Sequence, residues 1–342
     1  MKVNSLVTLI SMVGIATSQL SLASDENQLI KGITLSGAIE IQANHVTDYE
    51  DIKTSDIQVA TAEIVIDAQV HEWAKAHLLF LFEEDATDPP EFDEAYITLG
   101  NTNVSPFYFS IGRMYLFGEY GTMMISDPLT LELGETRGTA AQVGFLSNGL
   151  YGSLAVFNGN TKKGADDTIE NFTATLGFSN ETDSMNYDFA VDYTSNLAES
   201  GSVMDIVSNA EDLVDYVSAV TLHGNYNFGP FSVAAQYLTT VDKFDIADLT
   251  FNGQEAQPKA WTIEGGYHFE MMGKESTFAL GYQGTEEALT LPKERYLATL
   301  SAEIVKNTSL SLEWAHDTDY DIEEGGTGNN ADAITLQVAT EF

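Results

Sequence analysis

The 342-residue chain has no cysteine, only 14 basic residues against 52 acidic ones, and no apolar run long enough for a helical membrane span. Each shortage removes a class of protein. Without cysteine there is no disulfide framework, which argues against a small stapled secreted fold. No cysteine follows the first apolar stretch either, so a lipid-modified amino terminus is excluded. A helical span needs about 20 consecutive apolar residues. The densest apolar run, Leu78-Leu79-Phe80-Leu81-Phe82, is far shorter. A net charge of −38 leaves no basic surface for nucleic acid.

What is present is 44% hydrophobic and 11% aromatic residues. That is enough to order a chain and unlike an acidic disordered protein. Residues 1–23 read as an export signal. Lys2 supplies the positive end, Leu6 to Ile15 the apolar stretch, and Ser21-Leu22-Ala23 the small-residue cleavage site before Ser24.

The remainder, 24–342, alternates with period 2 again and again, the pattern of strands with one apolar and one polar face. Ile33, Leu35, Gly37, Ile39 and Ile41 oppose Thr34, Ser36, Ala38, Glu40 and Gln42. Trp261, Ile263, Gly265, Tyr267 and Phe269 oppose Thr262, Glu264 and His268. Connections between such runs alternate short and long. Short ones fall near 71–73, 101–106, 147–149, 181–184, 229–230, 271–274 and 306–307. Long polar ones fall at 44–56, 83–91, 114–137, 158–170, 195–216, 241–259, 284–294 and 317–331. Short turns at one rim and long loops at the other are the plan of an outer-membrane barrel. The chain also stops inside an alternating run, Ile334, Leu336, Val338, Thr340 and Phe342, which resembles the signal read by barrel-insertion machinery. The expectation is an all-β fold: a transmembrane antiparallel up-and-down β-barrel of about 16 strands, without a plug domain.

A tube of that width holds an aqueous lumen rather than a packed core. The 114–137 loop is too apolar to extend into water, so it is expected to fold into the lumen and narrow it. Arg113 and Arg137 flank it. They are placed either to hold Asp127, Glu132 or Glu135 or to present positive charge to an anionic solute. Strict alternation from Ile111 and Val143 points both outward, so either glycine bulges re-aim them or both lie at the aqueous rim. Lumen positions carry Glu40, Glu63, Asp67, Glu94, Asp188, Asp192, Glu264, Glu303 and Glu313, with Lys75 the main basic one. Such a lining concentrates cations and repels anions. His77, His223 and His268 read as polar lining, since the six histidines lack metal-site spacing. No Gly-x-Ser-x-Gly elbow or comparable catalytic signature occurs, so neither an enzyme nor a cofactor is expected.

Four segments carry a resemblance: 93–100 (Asp93-Glu94-Ala95-Tyr96 at its start), Ile111-Gly112-Arg113, 125–137 (Ser126-Asp127-Pro128-Leu129-Thr130-Leu131-Glu132-Leu133-Gly134-Glu135-Thr136 within it) and Val156-Phe157-Asn158-Gly159-Asn160-Thr161. Together they resemble the LbtU-type siderophore porin family, most closely over about residues 33–178. The resemblance implies a plug-independent, porin-like route for a ferric siderophore. An acidic lumen conflicts with an anionic chelate, unless Arg113, Arg137, Lys75, Lys162 and Lys163 form a local positive path. Two other readings stand beside it. One is a general or cation-preferring diffusion porin. The other is a structural or adhesive surface barrel whose acidic loops bind divalent ions. Expected partners are a small solute, outer-membrane lipid and the insertion machinery at Phe342, with a homotrimer as an option.

Overall fold

The computed structural model describes residues 32–342 except 85, 86, 88, 119, 165–167, 183 and 184. The expected export segment 1–23 therefore lies outside the described residues. The alternating runs form β1 (Ile33–Thr47), β2 (Lys53–His71), β3 (Ala74–Phe82), β4 (Glu91–Gly100), β5 (Phe107–Phe117), β6 (Thr136–Ser147), β7 (Leu150–Phe157), β8 (Asn171–Glu181) and β9 (Met185–Thr194). They continue as β10 (Ala219–Phe228), β11 (Phe231–Thr240), a small hairpin of β12 (Thr250–Phe251) and β13 (Gln254–Glu255), and β14 (Lys259–Met271). The last are β15 (Lys274–Glu286), β16 (Glu294–Val305), β17 (Thr308–Thr318) and β18 (Asn330–Glu341). All except the β12–β13 hairpin close into one antiparallel barrel of 16 strands, and β18 returns to pair with β1. The expected fold class is the one observed, and among the described residues no plug domain is evident.

The barrel is inside-out relative to a soluble sandwich. On β14 Ile263 is 51% exposed while Glu264 beside it is 1% exposed. On β17 Leu312 is 48% exposed and Glu313 1%. The apolar face is thus the outer one, as lipid requires, and the polar face turns inward. Every barrel strand has two paired neighbours, so the ladder leaves no open edge in the hydrocarbon.

At one rim the turns are tight, with left-handed residues where a type I′ hairpin needs them: Asn148 and Gly149, Met272 and Gly273. The long loops all leave the other rim. One expected loop proves shorter. The 44–56 segment is mostly hairpin, because β1 and β2 stay paired out to Thr47 and Lys53 and leave only 48–52 as the connection.

Closure ends on Phe342. Its N–H donates to Gly37 O at 3.0 Å, and Gly37 N–H donates to Phe342 O at 3.1 Å. A side chain on Gly37 would place its Cβ 2.3 Å from Glu63 O and 2.8 Å from Phe342 Cζ. Glycine there lets the terminal ring lie over the seam.

Leu312→Arg would put a cation on the lipid face near the middle of β17. It is expected to destabilise the barrel by about 2–4 kcal/mol, measured as a shift in the denaturant midpoint of folding into lipid vesicles. An unchanged midpoint would contradict the assignment of the outer face.

Candidate functional site

β5 and β6 are neighbours, yet the chain between them makes its contacts on the far side of the barrel. The segment is 118–135, shorter than the expected 114–137 because 114–117 complete β5. Two glycines allow its limbs to touch. Gly118 has φ +87, and a Cβ there would lie 2.4 Å from Gly134 C. At Gly134 a Cβ would lie 2.4 Å from Leu238 Cδ1 on β11. Pro128 then opens a short helix, α1 (Leu129–Gly134), with Glu132 N–H donating to Pro128 O at 3.0 Å. Leu129 and Leu133, four apart, fall on one face and are both buried.

Inward-facing polar side chains of β9, β11 and β14 to β17 hold this segment. Glu264 accepts Thr122 Oγ1–H at 2.6 Å and Met123 N–H at 2.7 Å. Glu313 accepts Ile125 N–H at 2.6 Å, Ser126 N–H at 2.9 Å and Ser126 Oγ–H at 2.5 Å. Thr299 Oγ1–H on β16 also donates to Glu313, at 2.6 Å. Leu129 N–H donates to Gln283 at 3.0 Å, and Thr130 bonds to Gln236. Among the described residues neither carboxylate has a basic partner, so hydrogen bonds from the segment must offset the cost of burying them. At the start of the segment Tyr120 OH donates to Asp192 at 3.2 Å, and His223 Nε2 lies 3.0 Å from the same carboxylate. Glu264, Glu313 and Asp192, expected as open lining, are instead covered.

The long loops beside α1 are not merely acidic tails. Leu129, Leu133 and Phe117 pack with Leu197 and Val203 of one loop, Phe244 and Leu249 of the next, and Ala288 and Leu291 of a third. Ser200 Oγ–H donates to Leu133 O at 2.8 Å, fastening the 195–218 loop to the helix. Glu199 accepts Asn160 N–H and Thr161 N–H, both at 2.8 Å, and so fastens the start of the loop after β7 as well. The β7–β16 side of the long-loop rim is thereby built over with a packed apolar layer.

The residues singled out in the sequence separate into three places. Ladder parity puts Arg113 on the outward face near the long-loop rim, since its neighbour Met114 packs inward with Ala140 and Phe157; at Arg137 the β5–β6 register shifts, so parity assigns it no face. Gly112 does not re-aim Arg113, although its φ is +141. Arg137 pairs with Glu91 at 2.9 Å and with Asp93, and its guanidinium lies 5.7 Å from the Tyr115 ring centroid. It does not bind Asp127, Glu132 or Glu135. That role belongs to Arg295 on β16, whose guanidinium donates to Glu132 at 2.9 Å, to Asp127 O at 3.3 Å, and to Asp317 at 2.9 and 3.1 Å. Lys75 sits in register with Gln69 and Thr98, close to the short-turn rim and remote from the segment.

Asp127 and Glu135 face the uncovered part of the lumen. Asp127 is near enough to Glu40 of β1 to repel it, and Glu83 acts on the same group. Glu63 of β2 is repelled by Glu40, by Glu341 of β18 and by Glu94 of β4. These carboxylates are thus near one another within the lumen. Burial, reinforced by Asp127 and Glu83, pushes the Glu135 carboxyl up to about 7.

The 195–218 and 241–258 contacts, and Arg295, were not anticipated. Arg295 is one of only three arginines in the chain, and that scarcity was the one signal available for it.

No family model matches the chain. A UPF0422 protein of Coxiella burnetii is 29% identical over 313 residues, covering 87% of this chain and 67% of the relative. A UPF0422 protein of Legionella pneumophila strain Paris is 27% identical over 357 residues, covering 91% and 66%. The chain spans about two thirds of the length of these curated relatives. Among solved structures, Pseudomonas putida OprB superposes with a TM-score of 0.64 at 11% identity, covering 94% of this chain and 96% of that one. The anion-selective porin of Comamonas acidovorans gives 0.60 at 13% identity, covering 91% and 99%. The outer membrane channel DcaP of Acinetobacter baumannii gives 0.59 at 13%, covering 91% and 97%. These likenesses show the porin fold.

Arg295→Met should loosen α1, at a cost of about 1.5–3 kcal/mol for a hydrogen-bonded carboxylate left without its cation. The expected result is a lower unfolding temperature in detergent micelles, together with faster proteolysis within 118–135. Arg295→Met with unaltered melting and cleavage would show that the Glu132 pair contributes nothing.

Proposed function

We propose that the protein is an outer-membrane diffusion channel that prefers cations. The observation that carries this reading is the position of the 118–135 segment. It lies against the β9–β17 wall and leaves the inward carboxylates Glu40 of β1, Glu63 of β2 and Glu341 of β18 beside the remaining space, with Asp127 close enough to act on Glu40, while Glu94 is paired with His77. Fixed charge of one sign in a narrow, low-dielectric passage concentrates counter-ions and excludes co-ions. The porin fold of the solved neighbours supports passage of a small solute; one of them is named as anion-selective, and charge preference is a matter of side chains rather than of fold.

A potassium chloride gradient across a planar bilayer tests the charge argument. The reversal potential should have the sign of cation flow, and the preference should weaken at high salt as screening shortens the field. Anion preference would sink it. Acidity provides a second check. A carboxyl with a pKa near 7 takes up a proton as pH falls, so the passage loses one negative charge between about pH 8 and 6. Cation preference should decline over that window, and Glu135→Gln should show the weaker preference at both ends with the step removed.

A ferric siderophore is the narrower reading of the same channel and is supported by the sequence resemblance over 33–178. The carboxylate border favours a chelate with neutral or positive overall charge. Uptake of a labelled ferric siderophore by a deletion strain at the parent's rate would eliminate this substrate while leaving the channel intact. Assembly as a homotrimer belongs to the proposal too. The trimer form described for Vibrio cholerae OmpT, a structure of the same fold, is consistent with it.

A further inference from the structure

We infer that Glu264 and Glu313 act as a clamp that holds the channel open. The inference rests on the channel reading above and concerns how its aperture is kept. The 118–135 segment has two differently anchored halves. The rear half, α1, is embedded in apolar packing through Leu129, 0% exposed, and Leu133, 1% exposed. The front half, 120–127, has little such packing: Met124 meets Ala279, Leu297 and Ala315, and Met123 lies beside them. Apart from the Tyr120 ring, which packs on His223, its other wall contacts are polar, and the two carboxylates provide the largest share of them.

Those two groups accept five hydrogen bonds from 122–126, three of them from backbone N–H. Glu313 is also oriented by Thr299 from its own wall. Charged acceptors make the stronger kind of hydrogen bond, and these are shielded from water. The geometry also sets the direction of failure. Behind the front half stands the closed ladder of β14 to β17, so a released segment has only the lumen to enter. There it would approach Glu40 and Glu63, and Asp127 would be repelled by the acidic wall. The outcome is a brief obstruction followed by return. Loss of the clamp therefore produces flickering closures of the pore rather than a wider one.

Single-channel recording in planar bilayers tests this with Glu264→Gln, Glu313→Gln and the double variant, and with Glu323→Gln in the exposed 319–329 loop as a control. An amide turns a donor toward the N–H groups it replaces an acceptor for, so at least one hydrogen bond is lost per site. With about 1.5–3 kcal/mol for each charged hydrogen bond, the fraction of time closed should rise roughly tenfold or more in each single variant. The open-state conductance should remain the parent's. Ser126→Ala removes one bond from the loop side without altering the wall, and should shift the same quantity in the same direction by less. Heat-modifiable mobility on gels confirms that each variant is a closed barrel. Parent-like closure statistics in Glu313→Gln and Ser126→Ala, or a steady larger conductance, would overturn the clamp. A parent protein that inserts without conducting would instead defeat the channel reading.

Discussion

A backbone amide in hydrocarbon has no water to bond to, and every other feature of this protein follows from that condition. The chain meets it by pairing each strand with two neighbours and returning β18 to β1, where Phe342 and Gly37 exchange both hydrogen bonds. Once the cylinder is closed, period-2 alternation assigns each side chain to lipid or to lumen. Ile263 and Leu312 go out, Glu264 and Glu313 go in. The width set by 16 strands is too great for those inward side chains to fill. The chain therefore supplies filling from its own loops.

That filling is built by two kinds of force. At the long-loop rim it is apolar burial, with α1 at the centre of a layer drawn from four connections. Deeper in the lumen it is hydrogen bonding to buried carboxylates. The inward face of a membrane barrel is polar by necessity, so the wall offers few apolar surfaces for a loop to bind. Glu264, Glu313, Gln283 and Gln236 provide acceptors instead, and the segment's unpaired backbone N–H groups find partners there. The same acidity that binds the segment borders the remaining passage. A single sign of charge thus both holds the segment and lines the lumen.

The chain's few cations show how this economy works. Three arginines are present. Arg137 ties β6 to Glu91 and Asp93 of β4, while Arg295 reaches from β16 to the helix through Glu132. Arg113 and Arg137 stand next to the segment in sequence, and proximity along the chain suggested them as its anchors. The actual anchor is 163 residues from Glu132. In a closed barrel a loop that crosses the lumen meets strands far away in the chain, so closeness in sequence is a poor guide to its partners.

Read by itself, the sequence determined the strands, their alternation, their number and the rim of each connection. These depend on local periodicity and on the lipid that a periodic chain must face, which every short window of sequence reports. It left the facing of Arg113 and Arg137 open, since a two-residue period holds only where the ladder is unbroken and the β5–β6 register shifts beside Arg137. The tertiary structure alone decided which inward carboxylates stay open to solute and which are covered. Glu40 and Glu264 occupy equivalent positions in their own strands, yet one borders the passage and the other lies under Met123. The difference comes from where a distant loop comes to rest, and that is set by the balance of its apolar anchor in α1 against the acceptors on the opposite wall.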